Sequence, residues 1–150
     1  MRNYVTAAVA AAFTMSAQAV WAQEPHTWTT EDTFENVTFA VQNAIIGAGL
    51  VVDHVSHTGD MLERTKDAVG STKTLYTGAD IFSFCSAKVS REVMEADITN
   101  VQYCPYTIFV YQTPEKPDEV TVGFRDYPGE TMAPVTDMLT GIVKDALMIE

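Results

Sequence analysis

Two cysteines, three histidines and one short acidic and hydroxyl-bearing stretch hold most of the chemistry open to this chain. Cys85 and Cys104 are its only cysteines. In an oxidising compartment such a pair most simply forms one disulfide. Closing the loop between them would stabilise the fold by about 3–4 kcal/mol on chain-entropy grounds. The alternatives are two buried free thiols, or a metal or redox pair. His54 and His57 make an HxxH run with Met61 four residues on. Imidazole and thioether, joined by Cys85 or Cys104, are the donors of a copper site. A straight strand points residues 54 and 57 to opposite faces, so convergence needs a turn near Ser56. Asp53 and His57 would share one strand face and could form a general acid–base pair. Ser56 supplies the third residue type of a Ser-His-Asp set. No nucleophile-elbow motif surrounds it, and closeness in sequence is not triad geometry. Tyr103, Tyr106 and Tyr111 flank the most β-prone run, where they can face an apolar ligand or serve packing.

Hydrophobic spacing places these residues on elements. His26 to Thr30 reads as a short first strand. Asp32 or Thr33 caps a helix whose apolar positions are Phe34, Val37, Val41, Ala44, Ile45 and Ala48, stopped by Gly47 and Gly49. Leu50 to about His57 is β-branched and reads as a strand. Thr58 or Asp60 opens a second helix, with Met61, Leu62, Thr65, Ala68 and Val69 as its buried stripe and Gly70 as its end. Ile81 to Cys85 is a third strand, and Ser86 caps a helix to about Ala96 with Val89, Val93 and Met94 inward. Tyr106 to Tyr111, a turn at residues 114–118, and Val120 to Phe124 form a hairpin. Thr131 caps a last helix with Pro134 in its first turn. Its inward positions are Met132, Val135, Met138, Leu139, Ile142, Val143 and Leu147. Met61, Met94, Met132, Met138 and Met148 fall at helical core spacing and read as core filling. The order β-α-β-α-β-α-β-β-α implies one α+β domain, with a mixed β-sheet and helices mainly on one face.

Composition narrows the function classes. The 150 residues are 47% hydrophobic and 19% charged, which excludes disorder and low-complexity scaffolds. The net charge of −11 repels phosphate backbones, so nucleic acid is an unsuitable partner. The sequence holds no Gly-rich phosphate loop, dinucleotide fingerprint, CxxCH haem attachment or HExxH helix. Residues 1–22 have the three parts of a secretory signal: Arg2, an apolar Ala-rich run to Met15, and small residues at Ala17, Ala19, Val20 and Ala22. Cleavage is expected after Ala22, with Ala19 the second choice. The mature domain is then residues 23–150, located in the periplasm. No later stretch is long and apolar enough to span a membrane.

Three segments together resemble the family of domains of unknown function numbered 302. They are Val51-Val52-Asp53-His54 after a Gly-terminated helix, Phe82-Ser83-Phe84-Cys85-Ser86, and Cys104-Pro105-Tyr106 running on to Val110-Tyr111. Glu95-Ala96-Asp97 fits the turn between the last two. The resemblance spans roughly residues 27–148. It implies a fold related to the TATA-binding-protein-like architecture and a homodimer, and it supplies no catalytic residue. The reading that follows is an exported, non-catalytic binding or accessory protein for a small ligand or a protein partner. Its first competitor handles copper or redox through Cys85, Cys104, His54, His57 and Met61. Its second is an enzyme using Asp53 and His57.

Overall fold

The computed structural model describes residues 24–150. The expected signal segment, residues 1–22, lies outside them. The chain runs β1 (His26–Thr30), α1 (Phe34–Gly47), β2 (Val51–His57), α2 (Thr58–Thr65), β3 (Gly78–Cys85), α3 (Ala87–Ala96), β4 (Tyr106–Thr113), β5 (Lys116–Phe124) and α4 (Ala133–Leu147). Short 3-10 segments lie at Asp67–Val69, Ile98–Tyr103 and Glu130–Met132.

Local chemistry sets the element ends. Thr33 Oγ1 accepts the Asn36 N–H at 3.2 Å and Ser86 Oγ accepts the Val89 N–H at 3.3 Å, so each closes one of the open donors at a helix start. The second helix is shorter than its apolar spacing suggests. After Thr65 the chain tightens, with the Val69 N–H bonding Lys66 O, and Gly70 turns it at φ 73°. That tightening swings Ala68 and Val69 off the buried stripe, and Val69 ends 77% exposed. Met61 is exposed as well, as is Met148 beyond α4. Met132 is fully buried, and Met94 and Met138 pack against the core as expected.

The five strands form one sheet in the order β1-β5-β4-β3-β2. Every neighbouring pair is antiparallel, so the sheet is not mixed. The reason is topological. β1 and β2 run the same way, but α1 carries the chain between opposite edges and they never meet. Each later connection reverses the chain beside its predecessor.

Strand alternation then divides the sheet. Phe82 and Phe84 of β3, Tyr106, Ile108 and Val110 of β4, and Val120, Val122 and Phe124 of β5 lie on one face and are buried. The stripes of α1 (Val37, Val41, Ile45) and α4 (Val135, Leu139, Ile142, Val143) complete that core, with Val93 from α3. Asn100 Nδ2 donates to Val93 O and to Thr131 Oγ1, which ties the end of α3 to the approach of α4. Three helices therefore cover one face, as expected for this α+β class.

α2 lies over part of the other face, where Gly59 permits close approach. A Cβ at Gly59 would stand 2.7 Å from the Ala79 backbone nitrogen on β3. Gly59→Ala should therefore lift α2 from the sheet and lower stability by about 1–3 kcal/mol, as overpacking does. Urea unfolding measures it; an unchanged midpoint would contradict this contact.

Candidate functional site

The β2–β3 register decides which sequence candidates meet. Val52 pairs with Phe84, but His54 pairs with Ser83, leaving Asp53 as an extra residue in a bulge. One extra residue reverses which side the following residues face. Val55 and His57 thus lie on the helix face, opposite Phe82 and Asp80, while His54 and Ser56 lie on the open face.

The expected Asp53–His57 pair is therefore not formed. His57 Nδ1 instead meets Asp80 Oδ1 at 2.8 Å, with Asp80 largely buried and His57 exposed. The pair borders a groove of ≈ 390 Å³ with Thr38, Phe39, Gln42, Val55 and Phe82. A carboxylate that orients an imidazole is half of an acid–base unit. A nucleophile is missing from that side: Ser56 faces away and its Oγ is paired with Thr58 Oγ1 at 3.2 Å, while Thr38 Oγ1 donates to Glu35 O. The Ser-His-Asp reading fails on this geometry.

The copper set is also taken apart. His57 sits opposite Asp80 and Val51 opposite Cys85, so the His57 and Cys85 ends of β3 are five residues apart, about 16 Å. His54 and His57 face opposite sides. Among the described residues, no group of three or more His, Cys, Asp and Glu side chains is placed to hold a metal ion.

Cys85 and Cys104, in contrast, come together, with Sγ atoms 2.6 Å apart. The Phe84–Tyr106 pairing of β3 with β4 explains this, because each cysteine lies just beyond that rung. Ser90 of α3 reaches the same corner: its Oγ lies 4.0 Å from Cys104 Sγ and donates to the Tyr106 hydroxyl at 3.1 Å. Burial, and then contact with Cys104, pushes the Cys85 thiol up to about 12.

The three tyrosines do not line one pocket. Tyr106 and Tyr111 are five positions apart in a strand and face opposite sides. Tyr106 is fully buried in the helix-side core, edge-on to Tyr127, and Tyr103 also packs edge-on against Tyr127. Tyr111 alone faces the open side. There it meets Tyr76 edge-on at 5.7 Å and lies beside Phe109 at 6.1 Å. The Phe109 ring lies over Gly123, where a Cβ would stand 2.7 Å from its Cζ. These three rings, with Thr58 and Leu62 of α2 and Ala79 and Ile81 of β3, line a crevice of ≈ 330 Å³. Its wall is predominantly apolar. A wider cavity of ≈ 520 Å³ near the start of α1 is instead acidic, bordered by Glu31, Asp32, Glu35 and Asp118.

Comparison with known proteins adds the fold. No protein-family model matches the sequence, and no curated protein does. A solved structure does match: an uncharacterized conserved protein, DUF302, from Bacillus stearothermophilus. It is 13% identical, with a TM-score of 0.57 over 83% of this chain and 88% of that one. The chain has the fold of a DUF302 protein. That likeness bears out the expected architecture, while the DUF302 match leaves the role of the crevice and the thiol corner to their own chemistry.

Tyr106 and Tyr127 give the core beside the thiol corner a pH signature. Burial pushes both phenols above their ordinary 10.0. Between that value and the folded one, the folded chain holds protons that the unfolded chain has released. Stability is thus fully present below about pH 10 and falls as pH rises through the folded value. Urea midpoints from about pH 8 to 11 should be level and then drop, with a smaller drop in Tyr106→Phe. Reversible phenolate absorbance near pH 10 for both residues, with an unchanged midpoint, would contradict it.

Proposed function

We propose that this chain is an exported, non-catalytic binding protein that takes a small neutral aromatic molecule into the crevice between α2 and the open sheet face. The supporting observation is the lining of that crevice: Tyr76, Phe109 and Tyr111 present ring faces and edges beside Leu62 and Ile81. Its ≈ 330 Å³ is at the lower end of small-molecule sites, which suits a ligand of one or two rings. Aromatic side chains offer such a ligand large contact area and edge-to-face geometry. The net charge of −11, and Asp80 at the crevice border, disfavour an anionic ligand. Export rests on the residue 1–22 pattern, and it places the site where small molecules arrive from outside the cell. No helix among the described residues is long and apolar enough to cross a membrane.

A neutral naphthylamine fluorophore tests the site. It should bind with one-to-one stoichiometry and a blue-shifted emission. Phe109→Ala and Tyr111→Ala should each weaken binding by about tenfold or more, the loss expected for removing a contacting ring. Glu31→Ala, at the acidic cavity by the start of α1, should leave affinity unchanged. Equal affinity in all four proteins, each verified as folded by circular dichroism, would overturn the proposal.

A further inference from the structure

We propose that Cys85 and Cys104 are joined in the exported protein as a disulfide that locks the end of β3 to the entry of β4. The geometry carries this. The sulfurs are in contact, one on the last residue of β3 and the other two residues before β4 begins. The ladder brings them there through Phe84 and Tyr106, both fully buried, so the approach is fixed by the core rather than by a loose loop. The loop between them contains α3 and the Ile98–Tyr103 turn, and Ser90 of α3 borders the Cys104 sulfur. One bond there would hold three consecutive elements.

Formation is a thiol–disulfide exchange with a donor disulfide, such as that of an oxidised thiol oxidoreductase or oxidised glutathione. One thiolate of the pair attacks a donor sulfur and expels a donor thiolate. The second cysteine then attacks the mixed disulfide and expels the other. Two S–H bonds of this chain are lost with one S–S bond of the donor. One S–S bond forms here, and the two protons end on the donor as two thiols. The reduced Cys85 thiol, pushed up to about 12 by burial, is little ionised at neutral pH and is a poor leaving group. The ends of the link are fixed by the buried Phe84–Tyr106 rung and the two cysteines have no CxxC spacing, which suits a brace rather than a cycling redox centre.

The full exported chain, reduced and then equilibrated with oxidised glutathione, should lose the mass of two hydrogens and all maleimide-reactive thiol. Its melting temperature should rise by about 10 °C relative to the reduced form. Reductant should reverse the rise, and the Cys85→Ser, Cys104→Ser double variant should melt low in both conditions. Any of these results would overturn the proposal: two thiols still labelled at equilibrium, a stable glutathione adduct on either cysteine, or a melting temperature indifferent to reductant. A metal adduct retained by the reduced protein with no disulfide at equilibrium would overturn it in favour of a dithiolate metal site.

Discussion

Everything in this molecule depends on burying one face of a five-stranded antiparallel sheet. Alternate residues of β3, β4 and β5 fill the space under α1, α3 and α4, from Phe82 and Phe84 to Val122 and Phe124. Each such side chain contributes about 1.5–3 kcal/mol by leaving water. The period of two means that this burial also dictates the other face. Ile81, Phe109 and Tyr111 stand outward because their neighbours must stand inward. The core and the open aromatic shelf are two results of one alternation, and a shift of one register position would exchange them.

That alternation is why so much was readable from the sequence. The strand at residues 106–111, its hairpin partner and the amphipathic final helix all carry their period in the local pattern, as do the caps Thr33 and Ser86. The separation of Tyr106 from Tyr111 was legible too, since five positions along a strand is an odd step. The bulge at Asp53 was not legible: it exists only in the pairing of β2 with β3, and it moved His57 from Asp53 to Asp80. Asp80 lies 23 positions away, so no local pattern links the two. One signal was present, an acidic residue at the head of an otherwise apolar strand, where such residues are disfavoured. The direction of the sheet was illegible for a similar reason, because strand order is set by crossovers and not by periodicity.

The two clusters that emerge have different physical characters. At one end of β3, two sulfurs, Ser90 and Tyr106 form a close cluster at the strand ends, which suits bracing. Towards the other end, α2 stands off the open face and leaves a crevice floored by Ile81 and Phe109. Gly59 and Gly123 shape it without contributing side chains, the first by admitting the helix and the second by admitting a ring. The His57 imidazole lies on the opposite side of the sheet from the shelf, but its partner Asp80 borders both the crevice and the groove, so the two share one carboxylate.

The central claim is that the open face, rather than the acidic cavity or the helix-side groove, receives the ligand. Amide and aromatic chemical-shift mapping during titration with a neutral two-ring compound tests it most directly. Saturable shifts are expected, centred on Leu62, Tyr76, Ile81, Phe109 and Tyr111, with Glu31 and Asp32 unmoved. Shifts centred on the start of α1 or on the His57 groove, or none at millimolar compound, would contradict it.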